Sequence, residues 1–122
     1  MIRRRTPKTF TDGIAYICRY RKKESSFSAV KNAKNGNDLE MVCKLAFNEK
    51  SCRASDREFA ESQDRTLTKK IETRHCPLLK KDMGIVIDGT LYDPYSIDTD
   101  RTNRLDYIYL EKARELDGWT AG

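Results

Sequence analysis

The sequence predicts a mainly β protein, because its C-terminal third holds three strand-like runs joined by two turn signals. Residues 85–87 and 90–92 flank the dipeptide Asp88-Gly89, which suits a two-residue hairpin because both turn positions need positive φ. A polar turn over residues 98–103 then leads into residues 105–110, a run rich in Tyr and Ile. These features together predict a β-meander.

Three further strands are predicted before the meander. Residues 13–21 and 66–74 alternate apolar and polar side chains, as strands do. Residues 39–47 also form a stripe of period two, yet they fit one face of a helix, with Asp38 as its cap. We favour the strand for this third segment.

Two stretches interrupt the β pattern. Ser55 and Glu58 have the spacing of a capping box, which predicts a short helix that ends near Ser62. Residues 22–37 are polar and contain Asn35-Gly36, which indicates a long loop. Loops of this length in a compact domain are usually functional or disordered.

The predicted meander carries apolar side chains on both faces. The pairs expected across the hairpin are Ile87 with Thr90, Val86 with Leu91, and Ile85 with Tyr92. A half-solvated sheet alternates more strictly, so both faces must be covered by barrel closure, by the helix or by another subunit. Pro94 cannot donate a ladder hydrogen bond, so we place it at an edge or a bulge.

Size and composition describe one polar domain. The chain has 122 residues, of which 38% are hydrophobic and 35% charged. It can bury one modest core, and assembly would add to its stability. We interpret residues 1–7 as a basic flexible arm and residues 117–122 as a flexible tail. No run approaches the roughly 20 apolar residues of a membrane helix, and no signal peptide is recognisable. We therefore expect a soluble protein that is not secreted.

Charge is distributed unevenly along the chain, whose net charge is +5. Residues 1–37 hold ten basic and two acidic residues, residues 38–81 hold ten and eight, and residues 82–122 hold four and nine. A basic N-terminal third suits an arm that binds nucleic acid. It equally suits a ring in which the basic face of one copy meets the acidic face of the next.

The residues that usually carry chemistry are sparse. The four cysteines lack the paired spacing of zinc sites, and we expect reduced, mostly buried thiols. One histidine, His75, supports no Ser-His or Cys-His motif. The sequence therefore predicts no enzyme, no cofactor and no metal. The cysteines are Cys18, Cys43, Cys52 and Cys76.

A nucleic-acid-binding β-barrel is the alternative function. Basic residues of the arm and of residues 19–23 suit phosphate binding, and Tyr16 and Tyr20 suit stacking on single-stranded bases. The other interpretation of these tyrosines is that they pack in the core. The candidate DNA contacts in the arm are Arg3, Arg4 and Arg5.

Two segments carry a family resemblance. They are IVIDGTLYDPYSIDTDRTNRLDYIYLE, residues 85–111, and KLAFNEKSCRASDREFAES, residues 44–62. The pattern resembles the head-tail joining proteins of long-tailed bacteriophages, also called head completion, head closure or stopper proteins. It spans residues 13–116. The sequence departs from the family at Pro94, where members usually carry a residue able to pair in the strand.

The resemblance implies a small antiparallel β-barrel with long loops and one short α-helix. Proteins of this family form rings, usually dodecameric, below the portal and its adaptor, where they close the DNA-filled head and dock the tail. The implied partners are other copies of the chain, the portal or adaptor protein, a tail completion or tail terminator protein, and packaged double-stranded DNA. The implied location is the virion head-tail interface, or the bacterial host cytoplasm before assembly.

Two sets of residues follow from this resemblance. In stopper-type members a long loop projects into the channel and helps to hold the DNA. The candidate channel-loop residues are Lys22, Lys23, Ser25, Ser26, Phe27, Lys31, Asn32, Lys34 and Asn35. The candidate ring-interface residues are Tyr92, Tyr95, Tyr107, Tyr109, Arg101 and Arg104.

Overall fold

The computed structural model describes residues 9–20, 39–116 and 119. All paired strands are antiparallel, and the sheet closes on itself in the order β1-β2-β3-β6-β5-β4. The predicted fold class, a mainly β closed sheet with one short helix, is confirmed. In chain order the elements are β1 Gly13–Tyr20, β2 Leu39–Lys50, α1 Ala54–Ser62, β3 Lys69–Arg74, β4 Gly84–Ile87, β5 Thr90–Asp100 and β6 Leu105–Glu115.

The β4–β5 hairpin forms with the register expected from its turn. Asp88 has φ 50° and Gly89 has φ 76°, as the two-residue turn requires. The observed pairs are Ile85 with Tyr92, Val86 with Leu91, and Ile87 with Thr90. Local turn chemistry was therefore sufficient to set the pairing here.

Other strand boundaries differ from the prediction. The segment that also fitted a helix is the strand β2, which runs three residues beyond Phe47 to Lys50. β3 begins at Lys69 rather than at Thr66, because the Thr66 N–H donates to the Glu111 carboxylate at 2.7 Å instead of to a ladder partner. β6 continues beyond Leu110 to Glu115.

The helix ends where the sequence predicted but begins earlier. Arg53 is the N-cap residue, and its N–H donates to Asp56 Oδ2 at 3.0 Å. The predicted cap at Ser55 is wrong, because the Asp56 carboxylate, which also binds Lys70 Nζ at 3.2 Å, satisfies the first turn. None of the helices in the described part of the chain is long and apolar enough to cross a membrane.

Pro94 lies at a bulge, as predicted. β5 pairs Pro94 with Leu110 and Ser96 with Tyr109, so Tyr95 is the extra residue on this strand. Pro94 itself is fully buried. β5 then continues to Asp100, so the turn that was expected over residues 98–103 occupies residues 101–104.

Apolar side chains pack on both sides of the sheet. The interior cluster includes Ile17, Ile71, Ile85, Ile108 and Leu110, and the β3–β4 connection adds Cys76, Leu79 and Met83 to it. A second cluster covers the outer face of β4, where Val86 points away from the interior. Barrel closure and this outer cluster therefore cover the two apolar faces. The outer cluster contains Cys18, Leu39, Val86, Leu91 and Leu116, with Tyr16, Tyr20 and Trp119 packed against it.

Candidate functional site

A cavity of about 960 Å³ lies where β3 ends and β5 turns into β6. Residues far apart in sequence meet here because Asp106 on β6 pairs with Thr73 on one side and with Thr99 on the other. The cavity is therefore a product of strand register. Its lining residues are Phe10, Arg74, His75, Pro77, Thr99, Arg101, Asn103, Arg104 and Leu105.

A buried carboxylate supports the wall of the cavity. Asp106 is 1% exposed. Its carboxylate accepts hydrogen bonds from Thr99 Oγ1 at 2.7 Å and from the Cys76 N–H at 3.1 Å. A buried carboxylate needs such partners to offset the loss of water. Asp106 thereby ties β5 and the β3–β4 connection to β6.

The same carboxylate orients the only histidine of the chain. Asp106 Oδ1 and Oδ2 lie 3.0 and 3.2 Å from His75 Nδ1. Because a carboxylate only accepts, Nδ1 carries the proton and Nε2 is left for another partner. The His75 N–H also donates to the Arg104 carbonyl oxygen at 2.9 Å, so the backbone and the ring of this residue are both held.

Three guanidinium groups share the cavity with His75, and we call Arg74, Arg101 and Arg104 the cavity arginines. Within residues 9–20, 39–116 and 119, no carboxylate lies within ion-pairing distance of any of them. Arg74 lies over the Phe10 ring, with Cζ 5.5 Å from the ring centroid. The cavity therefore contains three positive charges that no described carboxylate pairs with.

Asp100 shapes the turn that carries two of these arginines. Its carboxylate accepts from the N–H groups of Thr102 and Asn103, at 3.1 and 3.2 Å, and from Asn103 Nδ2 at 2.8 Å. These hydrogen bonds, led by the one from the Asn103 side chain, lower the pKa of Asp100. The carboxylate is thus engaged with the turn and not with a guanidinium.

The predicted ring-interface residues fall into separate groups. Tyr92 belongs to the interior cluster and is 8% exposed, so it offers almost no surface to another copy. Tyr95 and Tyr109 are ring neighbours, with centroids 6.4 Å apart. Lys70 Nζ lies 6.0 Å from the Tyr107 ring and 5.1 Å from the Tyr109 ring. The remaining two residues, Arg101 and Arg104, line the cavity.

Tyr16 and Tyr20 pack against apolar neighbours. Tyr16 meets the edge of Trp119 with ring centroids 5.7 Å apart, and Tyr20 packs on the outer cluster. Burial is the main reason that the pKa of Tyr20 is raised. These contacts favour packing over base stacking as the role of both rings. They also give Trp119, part of the predicted flexible tail, a definite neighbour.

The other predicted segments lie outside the described residues. These are the arm, with Arg3, Arg4 and Arg5, and the whole candidate channel loop within residues 22–37. The described residues nearest to the predicted loop are Tyr20 and Leu39, which pair with each other where β1 ends and β2 begins.

The cysteines are free thiols. Cys43 Sγ and Cys76 Sγ lie 3.5 Å apart. Burial, and then the hydrogen bond with Cys76, raises the pKa of Cys43 to about 11, while burial raises that of Cys18 to about 12. Across the part of the chain that the structure covers, no group of three His, Cys, Asp or Glu residues is placed to hold a metal ion.

The comparisons with known proteins add no family. The sequence matches no model of a protein family and no curated protein.

Proposed function

We propose that this protein is a structural component of a bacteriophage or prophage head-tail connector. In this role it forms a ring below the portal or adaptor, closes the DNA-filled head and docks the tail. The observation that carries the proposal is the closed antiparallel barrel, with one short helix among the residues that the structure describes. That architecture is the one implied by the resemblance to head-tail joining proteins.

The two resembling segments occupy matching elements. Residues 85–111 form the consecutive strands β4, β5 and β6 with a tight turn after β4. Residues 44–62 run from β2 into α1. Strand, turn and helix thus follow each other in the order that the resemblance requires, which supports the proposal at the level of the fold.

The connection between β1 and β2 supports a channel-directed loop. Tyr20 and Leu39 are paired neighbours, so the ends of β1 and β2 lie side by side. Residues 21–38 connect them, and a segment of this length is far more than a hairpin needs. Its sequence has five basic residues and two acidic ones, Glu24 and Asp38, which suits a position beside DNA.

Charge is the expected basis of contact between copies. Within the described part of the chain, the exposed large apolar side chains are single residues on different elements, which is normal for a monomer surface. They are Ile14, Met41, Phe59 and Leu78. The basic N-terminal third and the acidic C-terminal third offer complementary surfaces instead. Self-association should therefore weaken as salt is added.

Co-assembly with a connector tests the proposal. The protein should form rings with the portal and adaptor of its own particle, visible by electron microscopy. A protein that stays monomeric at low salt, at high concentration and with those partners would contradict it. Binding to short DNA by the monomer, lost when Arg3–Arg5 and Lys22-Lys23 are neutralised, would favour the nucleic-acid-binding alternative.

A deletion tests the loop. Removing residues 26–35 should leave a folded barrel, because both flanking strands keep their partners, but particles that carry the deletion should leak DNA. Replacing the same residues with a Gly/Ser linker of equal length is the matched control for loop closure. Tight heads with either variant would exclude this role for the segment.

A further inference from the structure

We propose that the cavity between β3 and the β5–β6 turn binds a phosphate ester of about the size of a mononucleotide. The proposal does not depend on the connector role, since a phosphate ester reaches a cavity of this kind either as a free nucleotide or as part of a nucleic-acid strand. The resemblance pointed to Arg101 and Arg104 as candidate ring-interface residues, but neither it nor the sequence motifs pointed to a ligand site here.

Unpaired positive charge is the first reason. The cavity arginines meet in one concave surface, and among the described residues none of them faces a carboxylate. A guanidinium group offers parallel N–H donors that match two phosphate oxygens. An anion in this place would relieve the mutual repulsion of the arginines as well as gain their hydrogen bonds.

The fixed histidine is the second reason. His75 is held through Nδ1 by a carboxylate that is itself buried and bonded to Thr99 and Cys76. Its Nε2 is therefore presented with little rotational freedom. With the proton on Nδ1, Nε2 of the neutral ring is an acceptor, so it would bind a hydroxyl of the ester and leave the anionic oxygens to the arginines. A group that is already positioned loses less entropy when a ligand binds. Exposed arginines alone would not provide a group that hydrogen bonds already hold in place.

Size and lining give the chemical class. A volume of about 960 Å³ exceeds the needs of an inorganic ion and lies at the upper end for small organic ligands. Phe10, Pro77 and Leu105 supply apolar surface, while Thr99 and Asn103 add polar groups. A phosphate against the arginines and a flat base against Phe10 would use both parts of this lining.

Calorimetric titration at low salt tests the site, with the full chain as the sample. The probes are adenosine monophosphate, ribose 5-phosphate, inorganic phosphate and a short single-stranded oligonucleotide. We expect adenosine monophosphate to bind with a Kd on the order of 0.1–1 mM, and the two smaller anions more weakly because they cannot reach Phe10. Tighter binding of the oligonucleotide would identify a strand as the source of the phosphate.

Two double variants separate this site from general attraction. Arg101→Gln/Arg104→Gln should weaken adenosine monophosphate about tenfold or more. Lys44→Gln/Arg57→Gln also removes two positive charges, but at exposed positions outside the cavity. This control variant should change the Kd for adenosine monophosphate by less than about twofold. His75→Asn should weaken binding while circular dichroism reports an intact barrel.

Either of two results would overturn the proposal. One is the absence of heat and of nuclear magnetic resonance shifts at residues 99–105 with every probe at about 10 mM, a concentration that would detect even weak affinity. The other is equal weakening by the cavity variant and the control variant, which would mean that the probes respond only to net charge.

Discussion

Two parts of the barrel use basic side chains in opposite ways. On what we call the helix side, around α1 and the adjoining strands, Arg65 binds the carboxylates of Asp93 and Glu111. Lys70 binds Asp56 at 3.2 Å in the same region. Each of these cations has an acidic partner on a different element, so its charge helps to hold the fold.

At the cavity, arginine side chains have no such partner among the residues that the structure describes. The cavity arginines line a concave surface from which described carboxylates are absent, apart from Asp106, which serves His75. The position of the acidic residues therefore decides the role of a basic side chain. An arginine beside a carboxylate stabilises the fold, whereas an arginine without one can bind a ligand. The difference teaches where substitutions should cost stability and where they should not.

The largest expected effect comes from the buried acid beneath the cavity. Asp106→Ala removes the acceptor for Thr99, for the Cys76 N–H and for His75. We expect a loss of about 3 kcal/mol in the free energy of unfolding, because a buried donor is left without a partner. Urea unfolding measures it. Asp98→Ala, an exposed position on β5, is the control and should stay within about 0.5 kcal/mol.

A smaller loss is expected on the helix side. Arg65→Met cuts the links from the α1–β3 connection to β5 and β6. The three side chains are partly exposed, so solvent screens the pairs and the expected loss is about 1 kcal/mol. The same urea experiment applies. An unchanged urea midpoint would show that the ion pairs of Arg65 contribute no more to stability than the cavity arginines do.

On the helix side, the contribution of the Arg65–Glu111 pair to the free energy of unfolding should depend on pH. Burial disfavours the ionised form of Glu111, yet the hydrogen bonds from Arg65 and the Thr66 N–H outweigh it, so its pKa is lowered. A lowered folded-state pKa gives stability that is present above the ordinary value of 4.5 and is lost as the pH falls through the folded value. The difference between wild type and Arg65→Met should therefore shrink from about pH 7 to about pH 3.

The smallest effect on folding is expected at the cavity turn. Arg101→Gln/Arg104→Gln removes two exposed charges that have no described acidic partner, so the free energy of unfolding should change by less than about 0.5 kcal/mol. Thermal unfolding with and without adenosine monophosphate measures the contribution of these arginines to stability and to ligand binding in one experiment. The ligand should raise the Tm of the wild type more than that of the variant. A marked loss of stability without ligand would mean that these arginines serve the fold.

Sequence reasoning reached the features that depend on neighbours along the chain. Asp88-Gly89 set the β4–β5 register because the turn itself fixes the pairing. The helix start was missed because the N-cap is Arg53, which is not one of the usual capping residue types, and its N–H donates to Asp56 Oδ2 three residues later. The capping-box pattern that starts at Ser55 was the stronger signal in the sequence.

The cavity could not be found by the same reasoning. Thr73, Thr99 and Asp106 become neighbours only through the pairing of β3, β6 and β5. The available signals were an acid inside an apolar strand, Asp106 between Leu105 and Tyr107, and a single histidine beside Arg74. Each signal is weak alone, and closure of the sheet brings them together.

Closure has one more consequence. Because β1 pairs with β2 on one side and with β4 on the other, no described strand is a terminal edge strand of the sheet. The pairing is nevertheless partial, since β2 pairs with β1 over residues 39–47 but with β3 only over residues 47–50. Closure therefore withholds the paired stretches, and those alone, from intermolecular strand addition, the usual route to cross-β fibres.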